Sequence, residues 1–195
     1  MGSHLFALTG FPGTGKLTVA EALADLLSRG DETVRIVDNH WINNPIFGLI
    51  DQDGMTPLPE PVWDRVGEVA AAVIRTVEDL TPRTWHTIFT AYLDGVTDTG
   101  WIPRLERVAA ARDSTFIPIR LLCGPAENAR RIIAPGRAER MKSIDPAEAY
   151  RLAEAGEPYD SGHHNGLTLD ITEVRPEQAA ARILEHALDA AAQNP

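Results

Sequence analysis

The sequence predicts an α/β fold in which a parallel β-sheet is covered by helices on both faces. Strand-like apolar runs alternate with helix-like segments along the whole chain, and the first apolar run stops at a glycine-rich turn. This alternation is typical of strand–helix–strand units, which form parallel sheets. The chain has 195 residues, of which 44% are hydrophobic and 24% charged, ordinary proportions for a globular protein. We therefore expect a single domain over residues 1–195.

Five strands and six helices follow from this alternation. The strands are predicted over residues 5–9, 33–37, 84–92, 115–123 and 167–171, and the helices over residues 16–29, 61–77, 103–112, 125–133, 146–155 and 176–192. Pro118 predicts an edge position or a late start for the fourth strand, because proline cannot donate to a sheet ladder. Asp145 and Glu148 have the spacing of a capping box. The first four residues, Met-Gly-Ser-His, are typical of an expression leader and are left out of the predicted fold.

Charge and composition exclude several classes of function. The net charge is −10, which argues against binding to nucleic acid or to anionic membranes, since both need an electropositive face. Cys123 is the only cysteine, so no internal disulfide can form. No apolar run approaches the roughly 20 residues of a membrane span, and no secretory signal is visible. We expect a cytoplasmic monomer or homodimer.

The strongest motif is the glycine-rich turn after the first strand. It fits the Gly-x-x-x-x-Gly-Lys frame of a phosphate-binding loop, which points backbone N–H groups at phosphates and is followed by a helix N-terminus. A chance glycine-rich turn is the alternative, but the strand before and the helix after favour the motif. Nucleotide contacts are predicted at Gly10, Pro12, Gly13, Thr14, Gly15, Lys16, Leu17 and Thr18.

The residue after the motif lysine departs from the pattern. Serine or threonine, whose hydroxyl usually binds Mg²⁺, is expected there, and Leu17 takes its place. A carboxylate or water molecules would then hold the metal, and Asp38 and Asp94 are the candidates. His163 and His164 are interpreted as part of a surface loop rather than as metal ligands.

A second cluster of polar residues follows the second strand, where open α/β sheets bind their ligands. Asp38 at this position can orient an acceptor hydroxyl for attack. Residues 39–60 are rich in asparagine and proline and predict an acceptor-binding loop, with a solvated turn as the alternative. The acceptor contacts are predicted at Asp38, His40, Trp41, Asn43, Asn44, Thr90 and Tyr92.

The third signal is a basic segment in an acidic chain. Residues 130–142 hold five basic side chains against one acidic, and Pro135 and Gly136 break the helical pattern between them. One interpretation is a helix face exposed to solvent, without a catalytic role. Arginines on a mobile lid are a common way to stabilise a transferring phosphoryl group, and this favours a lid over residues 130–158. Its predicted cations are Arg130, Arg137, Arg140 and Lys142.

Taken together, the phosphate loop, the Asp-Asn-His segment and the basic segment resemble the small P-loop kinases. These include shikimate, gluconate, adenylylsulfate and nucleoside monophosphate kinases and chloramphenicol phosphotransferase. The closest likeness is to shikimate-kinase-like proteins that carry Pro-Gly-x-Gly-Lys-Leu-Thr and an Asn-His pair after strand two. The resemblance implies a P-loop NTPase three-layer sandwich with strand order 2-3-1-4-5, an ATP site with Mg²⁺, and a small arginine-rich lid.

The resemblance also assigns roles to individual residues. Lys16 and Thr18 would hold phosphates, and Asp38 would orient or deprotonate the acceptor. Arg137 would reach the transferring phosphoryl group, with Arg140 as its substitute. The adenine or its phosphates would lie near Arg131, Thr172 and Pro176. The implied activity is transfer of the γ-phosphoryl group of Mg·ATP to a hydroxyl of a small molecule, catalysed by Lys16, Asp38 and Arg137.

The acceptor is left open by the sequence. The Asp-Gly-Phe-Pro-Arg segment of nucleoside monophosphate kinases and the Gly-Gly-Gly turn of shikimate kinases are both absent. A sugar or sugar acid, a natural product and a nucleoside all stay open. Two other functions also remain, namely a nucleotide-dependent switch or ATPase without an acceptor, and a binding protein that has lost its metal site at Leu17.

Overall fold

The computed structural model describes residues 2–30, 32–50, 52–93, 95 and 100–193. In chain order the elements are β1 (His4–Thr9), α1 (Lys16–Ser28), β2 (Val34–Val37), α2 (Asn39–Phe47), α3 (Glu60–Leu80), β3 (His86–Ala91), α4 (Trp101–Ala111), β4 (Thr115–Leu122), α5 (Pro125–Ile132), a 3₁₀ turn (Ala138–Arg140), α6 (Pro146–Ala155), β5 (Leu167–Asp170) and α7 (Pro176–Gln193). The five strands form one parallel sheet in the order β2-β3-β1-β4-β5. Both the fold class and the strand order predicted from the sequence are confirmed.

The central strand β1 is buried on both faces. Its side chains alternate, so that Phe6 and Leu8 pack against α1 and α7, while Leu5 and Ala7 pack against α3 and α4. Such two-sided burial explains why the predicted first strand is a continuous apolar run rather than an alternating one. All parallel strands end at the same edge of the sheet, and the segments that follow β1, β2 and β3 therefore meet there.

Part of the predicted loop over residues 39–60 is a helix instead. Helix α2 begins directly after Asp38 and runs to Phe47, with Pro45 inside it. Asparagine and proline disfavour helices, but Ile42 and Phe47 are almost fully buried, and this packing outweighs the weak local preference. The remainder, up to the start of α3, is irregular where it is described.

Two smaller expectations are corrected by the packing. Ser3 and His4 belong to the fold, because both are buried and His4 starts β1. Pro118 occupies neither an edge strand nor a late strand start. Strand β4 begins at Thr115 and pairs with β1 from that residue onward, whereas its pairing with β5 begins only at Ile119. Pro118 thus precedes the stretch where a second neighbour would need its N–H.

Candidate functional site

The phosphate loop lies between β1 and α1 and is shaped by glycines. Gly13 and Gly15 have φ angles of 86° and 107°, a region that other residues rarely adopt. A side chain at Gly13 would also overlap the amide oxygen of Asn128, which packs from α5 against the loop. The loop therefore needs glycine here both for its curl and for its close contact with α5.

Lys16 opens helix α1 and folds back over the loop. Its Nζ donates to the carbonyl oxygens of Gly10 at 2.7 Å and Phe11 at 2.9 Å. Burial lowers the pKa of Lys16 to about 7, and the negative charge of Asp38 opposes that shift. The ammonium group is thus held at the loop, with an acidic side chain as its nearest electrostatic support.

Arg131 braces the phosphate loop rather than lining it freely. Its guanidinium donates to the Thr14 carbonyl at 2.9 Å and to the carbonyls of Ile171 and Thr172, each at 3.0 Å. A further bond at 2.6 Å goes to Glu127, one turn earlier on α5. Arg131 therefore lies between the loop and the turn after β5, the region predicted for the adenine, but most of its donors are used by the protein.

The phosphate loop opens into a cavity of about 810 Å³ at the carboxyl edge of the sheet. The phosphate loop, the segment that follows β2 and the basic segment all contribute to the walls of this cavity. The sequence-predicted residues that line it are Pro12, Gly13, Gly15, Lys16, Leu17, Thr18, Asp38, His40, Asn43, Tyr92, Arg130, Arg131, Arg137, Arg140 and Lys142. The predicted residues that the structure places away from the lining are Gly10, Thr14, Trp41, Asn44, Thr90, Thr172 and Pro176.

Asp38 is held at the base of the cavity by two hydrogen bonds. The Thr90 hydroxyl donates to its Oδ1 at 2.6 Å, and Lys142 Nζ lies 3.2 Å from its Oδ2. Burial alone would raise the pKa of Asp38, but the Thr90 hydrogen bond and the Lys142 charge outweigh it, and the pKa stays below its ordinary value. Asp38 is therefore a carboxylate at neutral pH, and Thr90 acts as its support from β3.

His40 is the second residue of α2 and stays uncharged at neutral pH. Burial and the nearby Lys142 charge lower its pKa to about 4. Its Nδ1 is 3.1 Å from the side-chain oxygen of Asn44, and the amide nitrogen of Asn44 donates to the Arg140 carbonyl. This amide orientation assigns the proton of His40 to Nδ1 and leaves Nε2 as an acceptor.

The helical form of α2 decides which of its residues reach the cavity. His40, Asn43 and Phe47 share one face at helical spacing and line the cavity. Trp41 lies off that face and is 66% exposed. The structure therefore gives no support to the predicted contact between Trp41 and an acceptor.

The basic segment is bonded to the acceptor side of the cavity. Besides the Lys142 contact with Asp38, the Ile144 N–H donates to the Gly54 carbonyl at 3.1 Å. Arg137, predicted to reach the transferring phosphoryl group, donates to the Ser143 carbonyl through two nitrogens at 3.1 and 2.8 Å. The lid is thus joined to the acceptor side at three places, by the pairs Lys142 with Asp38, Ile144 with Gly54 and Arg140 with Asn44.

The cavity also has an apolar part, which the sequence predicts only partly: Phe47 and Trp63 are candidates for the wall of an acceptor pocket, with core packing as the default interpretation, whereas Met55, Leu58 and Met141 are not indicated. Phe47, Met55, Leu58, Trp63 and Met141 line this part next to the polar end at Asp38, and we call these five residues the apolar wall. Phe47 and Trp63 meet edge to face with ring centroids 5.9 Å apart.

The described residues do not form a ligand set for a metal ion. No group of three His, Cys, Asp or Glu side chains with metal-binding geometry is present in the described ranges. Asp38 is occupied by Thr90 and Lys142, and Asp94 lies outside the described residues. His163 and His164 lie in an irregular segment before β5, as predicted, and His164 is exposed, but the His163 side chain is only 9% exposed and packs against Phe116. Nor does any helix in the described part of the chain have the length and apolarity to span a membrane.

No protein-family model matches the chain, and a comparison with curated proteins gives no match. Solved structures show the same fold, that of the P-loop kinases. A candidate kinase from Chloroflexus aurantiacus superposes with a TM-score of 0.68 at 20% identity, covering 95% of this chain and 99% of the other. A gluconokinase from Sinorhizobium meliloti gives 0.62 at 12% identity, covering 100% and 98%. The Mycobacterium tuberculosis APS kinase CysC, in complex with AMPPNP and APS, gives 0.59 at 14% identity, covering 95% and 97%.

Proposed function

We propose that this protein is an ATP-dependent kinase that phosphorylates a hydroxyl group of a small molecule. One observation carries the proposal: the phosphate loop, the Asp38 carboxylate and the cations of the basic segment all border one cavity. A phosphate site, an acceptor-orienting group and a source of positive charge are the parts that phosphoryl transfer needs. The similar solved structures include a gluconokinase and an APS kinase bound to an adenine nucleotide analogue, which supports the same assignment.

The phosphate loop would hold the triphosphate of Mg·ATP. Its N–H groups and the start of α1 offer donors and a positive helix end, and Lys16 would exchange its two loop carbonyls for phosphate oxygens. Mg²⁺ enters with ATP as part of the substrate. Since Leu17 has no hydroxyl and Asp38 already has two partners, we expect the ion to be held by the phosphates and by water.

Asp38 would orient the acceptor hydroxyl. In the transfer step the acceptor oxygen attacks the γ-phosphorus, the bond to the β–γ bridging oxygen breaks, and ADP leaves with that electron pair. The hydroxyl proton passes to Asp38 as the new P–O bond forms and then to solvent. Because the pKa of Asp38 is low, the carboxylate mainly aligns the hydroxyl and takes its proton late.

The basic segment would stabilise the charge of the transferring group. Arg137 and Arg140 line the cavity from the lid, and the planar guanidinium suits the equatorial phosphoryl oxygens. Lid closure would also keep water from the γ-phosphate and so limit wasteful hydrolysis of ATP.

The test is a screen for ATP consumption over a library of hydroxyl-bearing metabolites, followed by mass detection of the phosphorylated product. Asp38→Asn serves as the control, because it keeps the shape of the site and should remove turnover. A product that appears with the natural protein and not with the variant supports the proposal. ATP hydrolysis at a steady rate that no hydroxyl compound changes would overturn it in favour of a switch or ATPase.

A further inference from the structure

The acceptor side of the cavity contains no basic residue of its own. Residues 39–64, which form α2, the segment after it and the start of α3, include no lysine or arginine. The same holds for residues 84–103, which contain β3 and the segment after it. Acceptors that carry a carboxylate or phosphate are normally recognised by arginine or lysine. These two segments offer such a group nothing with which to pair.

Four of the cations that line the cavity are paired with acidic side chains. Lys142 is paired with Asp38, and Arg151 with Asp145 at 2.7 Å. Arg130 and Arg131 share Glu127. Arg137 is bonded to the Ser143 carbonyl and belongs, with Arg140, to the lid over the phosphates. The cations that reach the acceptor side therefore come from the basic segment, where Arg140 and Lys142 flank Met141 of the apolar wall, and Lys142 is paired with Asp38.

The apolar wall presents uncovered apolar surface inside the cavity. Trp63 is 47% exposed and Met55 is 62% exposed, although both face the cavity. Large apolar side chains in such a position are typical of ligand sites, because a bound apolar group removes their surface from water. Trp63 stands edge-on to the buried Phe47, which fixes one side of its ring.

The polar end of this space presents two hydrogen-bond acceptors, Asp38 and His40, beside the Lys142 ammonium that is paired with Asp38. Asp38 is a carboxylate, and His40 keeps Nε2 as an acceptor because its Nδ1 proton is directed to Asn44. Such groups recognise hydroxyl or amine protons and repel an anion. The site thus combines acceptors for a hydroxyl group with an apolar surface for the body of the same molecule.

Building on the kinase function above, we propose that the acceptor is a hydroxylated compound with an apolar, ring-containing body and no carboxylate or phosphate. A sugar acid or a nucleotide would place an anion against Asp38 and against segments that lack a basic residue. A neutral alcohol with a ring would donate its hydroxyl proton to Asp38 and stack its ring on Trp63.

The experiment uses four probe alcohols that vary charge and apolarity independently. They are para-(hydroxymethyl)benzamide, para-(hydroxymethyl)benzoate, sorbitol and gluconate. Binding to the full chain is measured by titration calorimetry with Mg·AMPPNP present, and transfer from Mg·ATP is followed by mass detection. We expect the Kd of the amide to be lower than that of the matched carboxylate by about tenfold or more. The reason is that the negative charge of the benzoate would lie near the negative charge of Asp38. Sorbitol and gluconate should both be weaker than the amide.

Trp63→Ala and Trp41→Ala form a matched pair of variants. The first removes the main surface of the apolar wall and should weaken amide binding about tenfold. The second removes a tryptophan that lies outside the cavity and should leave binding unchanged, so that a general effect of losing tryptophan is controlled.

The outcomes separate the two proposals. If the carboxylate or gluconate binds as well as the amide, or if Trp63→Ala binds the amide like the unmodified chain, the acceptor class is wrong, while transfer to any probe still supports the kinase. If the amide binds with the predicted preference and no probe or library compound is phosphorylated, the acceptor site stands and the kinase function falls.

Discussion

The phosphate loop and the apolar wall border the same cavity but are built in different ways. The loop is defined by its backbone, and glycines such as Gly13 and Gly15 allow the curl and the close contact with α5. The wall is defined by side chains that come from four separate segments, among them Phe47, Trp63 and Met141. A backbone site binds what many related proteins share, whereas a side-chain site can change with few substitutions.

Electrostatics separates these two sides further. The phosphate side collects Lys16, Arg131 and Arg137, whereas the acceptor side contributes Asp38 and no cation between residues 39 and 64. Lys142 joins the two, since it comes from the basic segment and pairs with Asp38. Substitutions on the phosphate side and on the acceptor side should therefore affect different kinetic constants.

The largest effect is expected on the phosphate side. Lys16→Ala removes the ammonium group held over the loop and should lower phosphoryl transfer by about 10²–10³-fold or more, the range seen when one charge-stabilising donor is lost. Steady-state kinetics with the best acceptor measures the loss. Circular dichroism should show an unchanged fold, because Lys16 bonds only to carbonyls of its own loop. Transfer at the normal rate would remove Lys16 from the mechanism.

The next effect is expected at the polar end of the acceptor side. Asp38→Asn keeps the shape of the side chain and removes its charge, so the turnover number should fall by about 10²-fold or more, within the range of general-base contributions. The Kd for Mg·AMPPNP should change less than the turnover number, because Asp38 acts on the nucleotide only through its charge near Lys16. Equal losses in nucleotide affinity and in turnover would instead place Asp38 on the phosphate side.

The two sides also differ in how far the sequence predicts them. The phosphate loop is recognisable because its glycine and lysine spacing is local, and a strand and a helix flank it. Asp38 is predictable for a similar reason, since it directly follows a strand. In contrast, the five residues of the apolar wall come from separate segments and meet only through packing, so no local spacing reveals them.

Helix α2 shows how one error in the predicted secondary structure misplaces a predicted site residue. Its asparagines and proline favour a loop, but burial of Ile42 and Phe47 makes it helical. The helix then directs His40 and Asn43 to the cavity and leaves Trp41 in solvent. The alternation of elements predicts the parallel sheet, by contrast, and the resemblance to small P-loop kinases implies its strand order.

A smaller effect should appear where Lys142 joins the two sides. Lys142→Met removes the charge that helps to keep the pKa of Asp38 low, while the burial that raises it remains. The acidic limb of the pH profile of kcat/KM for the acceptor should therefore move up by about one pH unit, as for loss of a neighbouring opposite charge. Lys142→Arg keeps the charge and is the control. An acidic limb that stays in place in Lys142→Met would show that the ion pair does not tune Asp38.

The smallest effect concerns stability, and it compares two buried histidines. His4 begins β1, the strand that leads into the phosphate loop, and His40 lies on the acceptor side. Burial lowers the pKa of each to about 4, assisted by His86 for the first and by Lys142 for the second. Between the ordinary value of 6.5 and about 4, the unfolded chain binds more protons than the folded one.

The free energy of unfolding should therefore fall as the pH falls through this window. Asp53 and Glu127, whose pKa values are held at about 2, keep their full contributions only above the ordinary values of 3.8 and 4.5 and lose them as the pH falls from there toward 2. Urea unfolding at several pH values measures how steeply the free energy of unfolding depends on pH. His40→Gln should reduce this slope, because it removes the titrating histidine on the acceptor side. Lys142→Met should also reduce the contribution of His40 to this pH dependence, because the Lys142 charge is one cause of the lowered pKa of His40. The contribution of His4 should stay unchanged. A slope that Lys142→Met does not change would mean that the basic segment and the acceptor side are not electrostatically joined in solution.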